Sequence, residues 1–175
     1  MEGASRGSDT SARLAVTGNG DLPGDSVGVP AEDRWVVLYD ADCGFCKWLL
    51  AGLLRGDRAA RLRPIALQRP EADDLLPDLA PAERMASWHL ISPTGARRSG
   101  GAAVAPLLRL LPRGRVPAVA FARFPRLTER GYRWVAEHRS QLSRWVPKSF
   151  KQHASEGVRQ REQALETHAE RTRDG

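Results

Sequence analysis

Cysteine is nearly missing from this sequence: 175 residues carry two, Cys43 and Cys46. A framework of several disulfides is therefore excluded, as is any metal site built from four cysteines. Histidine is also sparse, with His89, His138, His153 and His168 scattered along the chain. No second closely spaced ligand pair accompanies the cysteines, so a closed four-ligand zinc site is not expected and no metal is assigned. Long uncharged apolar runs are missing too. The longest apolar stretch, 104–124, is broken by Arg109, Arg113, Arg115, Arg123 and several prolines, which argues against a membrane span. No basic start followed by an apolar segment is present, so a secretory leader is not expected. The cytosol is the expected compartment, where a lone Cys pair is more often catalytic or metal-binding than a structural staple.

Acidic residues are thin where cations are dense. The formal charge is +6, yet residues 1–33 hold two Arg against six acids, whereas 34–147 hold nineteen Lys and Arg against ten acids. Only that middle block has enough Leu, Val, Ile, Trp and Phe for a core, and it has the size of one ordinary domain. Residues 1–33 are rich in Gly, Ser, Thr, Asp and Ala without periodicity and are expected to be disordered. Residues 148–175 permit a helix, but Phe150, Val158 and Leu165 are their only sizeable apolar groups. They are expected to form a polar tail that frays unless something packs on it. The arginines of the middle block are dispersed rather than gathered on one helical face, so nucleic acid is not expected as a partner.

What is present is concentrated around the two cysteines. Trp35-Val36-Val37-Leu38-Tyr39 reads as a short buried strand, ended by the acidic turn Asp40-Ala41-Asp42. After Cys43-Gly44-Phe45-Cys46, the residues Phe45, Trp48, Leu49 and Leu53 recur at helical spacing. The pair thus sits at a strand-to-helix junction. Unpaired N–H groups of the first helical turn point at the first sulfur there and favour its thiolate. Two residues three apart on a helix can also bring their sulfurs within bonding distance. Such a pair can cycle between dithiol and disulfide.

Further on, Arg61 to Leu67 reads as a second strand, parallel to the first through a βαβ crossover, with Pro64 marking a sheet edge or a bulge. Glu71–Leu76 and Pro81–Met85 read as short helical turns. Ser87–Ile91 and Ala96–Ser99 form a hairpin around the turn Ser92-Pro93-Thr94-Gly95. Gly100-Gly101 then opens a helix closed by Pro112, followed by helices over 116–124 and from Pro125 to Trp145. Trp48, Trp88, Trp134 and Trp145 are expected at the core or at contacts between elements.

This order, with a Cys pair at the first strand-to-helix junction, resembles the α/β thioredoxin-like fold: a β-α-β-β-β-α core with additional C-terminal helices. More narrowly, Tyr39-Asp40-Ala41-Asp42-Cys43-Gly44-Phe45-Cys46 resembles the signature of the DCC family of thiol-disulfide oxidoreductase-like proteins. Trp88-His89-Leu90-Ile91, Gly100-Gly101-Ala102-Ala103 and Arg130-Gly131-Tyr132-Arg133-Trp134-Val135-Ala136 are similar to that family's later blocks. The likeness covers about residues 34–147. It implies thiol-disulfide exchange of the protein-disulfide reductase type, without a bound cofactor. The partners would be a disulfide-containing protein or small thiol substrate and an electron donor; nucleic acid and membrane are not expected. Thioredoxin and glutaredoxin place a cis-proline before the third strand, whereas this chain has Met85-Ala86-Ser87 there. That departure motivates the alternative of a redox-inactive thioredoxin-like binding or scaffold module.

Within the site, Cys43 is expected to attack and Cys46, deeper in the helix, to resolve. Lys47, one turn on, is expected to add positive potential, and Asp40 and Asp42 to oppose the thiolate. For these two acids three roles stand open: accepting the Cys46 proton, capping the helix (Asp42 above all), or forming a solvated turn. Gly44 and Phe45 between the cysteines are candidate substrate contacts. So are Gly100 and Gly101, which resemble the helix start that glutaredoxins present to glutathione's carboxylate.

Overall fold

Every residue of Trp35–Tyr39 is apolar or aromatic, and the strand it forms, β1, is covered on both faces. The computed structural model describes residues 33–173. All but the last residue of the 1–33 segment expected to be disordered lies outside them. β1 is followed by α1 (Gly44–Gly56), β2 (Leu62–Ala66), α2 (Pro70–Leu75), α3 (Pro81–Ala86), β3 (His89–Ile91) and β4 (Arg97–Ser99). Helices α4 (Gly101–Arg109), α5 (Arg115–Arg123), α6 (Pro125–Trp145) and α7 (Lys148–Arg173) complete the described chain.

The strands form one mixed sheet in the order β2-β1-β3-β4. β1 and β2 run parallel, with Trp35 opposite Leu62 and Tyr39 opposite Ala66. β3 lies antiparallel to β1 and to β4, with Leu90 opposite Val37 on one side and Arg98 on the other. This is the thioredoxin-like plan, and the parallel crossover, the hairpin and the edge position of Pro64 agree with the sequence reading. Side chains alternate across β1. Val37 and Tyr39 join Leu50, Leu62, Leu90 and Leu107 on one face, while Leu38 joins Ile65, Leu76 and Ile91 on the other.

The tail from residue 148 is helical, as its sequence permits, and the core is what packs on it. Through residue 173 it is the helix α7, and it packs along α1 and β2. Ala154, Val158 and Leu165 are buried, spaced at 4 and 7 residues on one face. Three polar ties fix its rotation. Arg161 donates to the buried Asp57 carboxylate at 2.7 Å, the Tyr39 hydroxyl donates to Glu162 at 3.2 Å, and Arg69 pairs with Glu166 at 3.0 Å. Asp57 also accepts the Arg61 and Leu62 amides at 3.1 and 2.8 Å, so one carboxylate joins the end of α1, the start of β2 and α7. A sparse apolar stripe thus suffices because the core supplies the other half of the contact.

The tryptophans are divided. Trp35 and Trp88 pack against the core, but Trp134 and Trp145 are 55% and 86% exposed, contrary to the expected core or contact role. Among the described residues no helix is long and apolar enough to cross a membrane.

If α7 is part of the core, truncating a buried side chain on it must lower global stability. Val158→Ala is expected to cost about 2 kcal/mol through lost burial and the cavity left behind. Urea denaturation would read this as a lower midpoint at unchanged slope. A midpoint equal to the parent's would mean that α7 frays in solution.

Candidate active site

The cysteine turn is built from β1 outwards. β1 ends at Tyr39, and Asp40, 6% exposed, turns its carboxylate back to accept the Asp42 amide at 3.0 Å. Gln68, just past β2, staples the turn: its Nε2 donates to Asp40 at 2.9 Å and to Asp42 at 3.2 Å, while its Oε1 accepts the Ala41 amide at 3.1 Å. The helix cap is not Asp42. Cys43 occupies the N-cap with extended backbone, and its own sulfur accepts the Cys46 amide at 3.2 Å. Asp42 is engaged by Gln68 instead and remains exposed.

The two thiols are tuned in opposite directions. Cys43 is half-buried and its thiol is lowered to about 6. The hydrogen bond from the Cys46 side chain is the largest cause. Burial opposes it, the Cys46 amide adds to it, Asp40 raises the thiol and Arg139 lowers it. Cys46 is buried and its thiol is pushed well up, first by that same hydrogen bond, then by burial and by the charge of Cys43. A hydrogen bond from the Trp88 side chain and the Arg139 charge work the other way. The cation that reaches the pair is therefore Arg139 rather than Lys47, and Asp40 acts mainly against the Cys43 thiolate.

Arg139 belongs to α6. Its guanidinium lies 3.6 Å from the Asp40 carboxylate and donates to the Met85 carbonyl at 3.3 Å. Tyr132, also on α6, accepts the Trp88 amide at 2.8 Å. The backbone before β3, the place of the missing cis-proline, is thus already bonded to α6. The same holds at the glycine pair. The Gly101 amide donates to Glu129 at 2.9 Å, and a Cβ there would lie 2.7 Å from the Glu129 Cα. A carboxylate of the chain itself takes the place considered for a ligand's, while Gly100, at φ +59°, donates to the Trp88 carbonyl.

The candidate contacts are therefore separated. Phe45 lines a small cavity, about 40 Å³, with Cys46, Leu49, Trp88, Tyr132 and Arg139. Its ring lies 5.9 Å from that of Trp48, which is exposed beside it. Gly44 faces the corner of α6 and α7, where a Cβ would meet Lys151 Cδ at 3.1 Å and Ser143 Oγ at 3.2 Å. His89 is buried and bonded to Ser99 and to the Arg84 carbonyl, with burial pushing its pKa down. No group of three or more potential metal ligands gathers among the described residues. Sequence reasoning missed Gln68 and Arg139, which nothing local distinguishes. It assigned neither Trp88 nor Tyr132 to the site.

Alkylation of Cys43 by iodoacetamide should rise with pH about a midpoint near 6. Arg139→Met should move that midpoint up and Asp40→Asn should move it down; shifts of the same sign would overturn this account of the field. Folding depresses the Cys43 thiol from its ordinary 9.0. The resulting stabilisation of the dithiol form is therefore complete above pH 9 and is lost as pH falls through 6. Denaturation of the reduced protein across that window should show the slope, and Cys43→Ser should flatten it.

A model of the DCC1-like thiol-disulfide oxidoreductase family matches residues 37–145. The match runs from β1 through α6, so it includes the cysteine turn and the helix laid against it. No curated protein and no solved structure gives a match. With the sheet order, the cysteine turn and this match in agreement, the chain belongs to the DCC1-like thiol-disulfide oxidoreductase family.

Proposed function

We propose that this chain is a protein-disulfide reductase in which Cys43 attacks and Cys46 resolves. The observation that carries the reading is the opposite tuning of two adjacent thiols, one half-buried and lowered to about 6, the other buried and pushed up. A thiol titrating near ambient pH is the most effective attacker of disulfides.

In the first step the Cys43 thiolate attacks one sulfur of a substrate disulfide. A bond forms between those two sulfurs, the substrate's S–S bond breaks, and its other sulfur leaves as a thiolate that takes a proton from water. Capture of Cys43 removes its charge and its hydrogen-bonding thiolate, which include the largest cause holding the Cys46 thiol up. Burial then stands against Trp88 and Arg139, which favour the Cys46 thiolate. Cys46 gives its proton to solvent and attacks the Cys43 sulfur, and the second substrate sulfur leaves. Two electrons have passed to the substrate, and the enzyme holds a Cys43–Cys46 disulfide. An external dithiol restores it by the same exchange in reverse.

The substrate side chain meets the apolar rim of Phe45, Trp48 and Leu49 beside the thiols. Gly100 and Gly101 have no part in this reading, because the Gly101 amide is bonded to Glu129. Bonds from α6 to Met85 and Trp88 give the redox-inactive binding module its one supporting observation.

Titration of the pair against glutathione or dithiothreitol buffers, read by the mass of alkylated thiols, separates the two readings. The reductase reading expects a reversible two-electron transition between about −270 and −120 mV. It also expects Cys46→Ser to accumulate a mixed disulfide with insulin and Cys43→Ser to form none. A pair that never closes, or a Cys43 that resists alkylation in the folded protein, overturns the reading in favour of the binding module.

A further inference from the structure

Helix α5 does not suit the surroundings in which it stands. Residues 116–122 within it are Val, Pro, Ala, Val, Ala, Phe and Ala, without one polar side chain. A helix that is apolar all round belongs in a core or in a lipid medium. Here only Ala118 is buried; Val116 is 81%, Val119 63% and Phe121 41% exposed. Phe124 and Leu127, at the corner with α6, are exposed as well. Single exposed apolar residues are ordinary, but five large ones within residues 116–127 mark a contact.

Charge narrows what makes that contact. Arg113 and Arg115 stand at one end of α5, Arg123 and Arg126 at the other, and all four are exposed. Between Glu83 and Glu129 lie 45 residues with eight Arg and no Asp or Glu. Beside α5 a groove of about 1080 Å³ between α4 and α6 adds Arg98, Arg109 and Arg130 around Phe121 and Leu127. Its own carboxylates are Glu129, held by the Gly101 amide, and Glu137. An apolar helical body about 13 Å long, with cations at both ends, matches the layering of a membrane surface. Apolar side chains enter the boundary below the phosphates while arginines extend to them.

We infer that α5 and its corner with α6 are a membrane-surface docking element for anionic lipid. Val116 and Val119, three apart on one face of α5, enter the headgroup–acyl boundary, and Arg113, Arg115, Arg123 and Arg126 pair with lipid phosphates. The element lies on the bilayer and does not cross it, consistent with the absence of any spanning helix among the described residues. The expectation that membranes are no partner rested on the lack of a span and does not reach this mode of binding. The inference stands on surface composition, independently of the thiol chemistry.

The test is co-sedimentation of the full reduced chain with vesicles of phosphatidylcholine alone and of phosphatidylcholine mixed with phosphatidylglycerol. Binding to the anionic vesicles is expected to exceed that to the neutral ones by about tenfold or more and to weaken with added salt. The double variant Val116→Glu, Val119→Glu should lose about tenfold in binding, while Cys43 alkylates at the parent's rate as a check on folding. Arg123→Gln with Arg126→Gln should reduce the preference for anionic vesicles. No binding to either vesicle overturns the inference and leaves this face to a protein partner. Binding unaffected by the apolar double variant also overturns it, as does full competition by soluble glycerol phosphate, which would indicate a phosphate site instead of a surface.

Discussion

The hydrogen bond from the Cys46 amide to the Cys43 sulfur is the contact around which this molecule is organised. Helix N-caps are normally oxygens of Ser, Thr, Asp or Asn. Giving the position to sulfur makes the start of α1 sensitive to the state of one atom. A thiolate, being charged, is a better acceptor than a thiol or a disulfide sulfur. The first turn of the helix and the chemistry of the pair therefore share one hydrogen bond. The surrounding scaffold keeps that atom in place, with Gln68 tying down the turn before it and Leu50 and Ala51 anchoring the helix behind it.

Helix α6 is the second organising element. Glu129, Tyr132, Ala136, Arg139 and Ser143 are spaced at three and four residues and lie on one helical face. In order they meet the Gly101 amide, the Trp88 amide, the cavity beside Cys46, the Met85 carbonyl with Asp40, and Gly44. One side of a single helix thus satisfies the backbone groups around the dithiol and supplies its cation. In this family member, the helix added to the thioredoxin-like core packs against the cysteine turn.

The sequence disclosed what is encoded locally. An apolar run, a turn and a helical stripe identified β1 and α1, and the spacing of two cysteines placed both at the start of α1. Cross-chain electrostatics were not legible. Lys47 was expected to influence Cys43 because it is near in sequence, but Arg139 does so from nearly a hundred residues away. The inward face of α6 escaped notice for a related reason: Glu, Tyr, Ala, Arg and Ser leave no hydrophobic period to read. Asp42 is a common type of cap, so its displacement by a sulfur ran against propensity. The polarity of α7 concealed its docking, because three buried side chains suffice where α1 and β2 provide the opposing surface.

The tie between Asp57 and Arg161 spans 104 residues. During synthesis Asp57 and the cysteine turn leave the ribosome roughly five to twenty seconds before α7 does, at ordinary elongation rates. Over that interval α1 is complete but lacks one of its walls, and Tyr39, next to the turn, lacks its partner Glu162. The Asp57 carboxylate, buried in the finished protein, is then without its cation. The order of translation therefore makes α7 the element that closes the fold, after every strand of the sheet has been made.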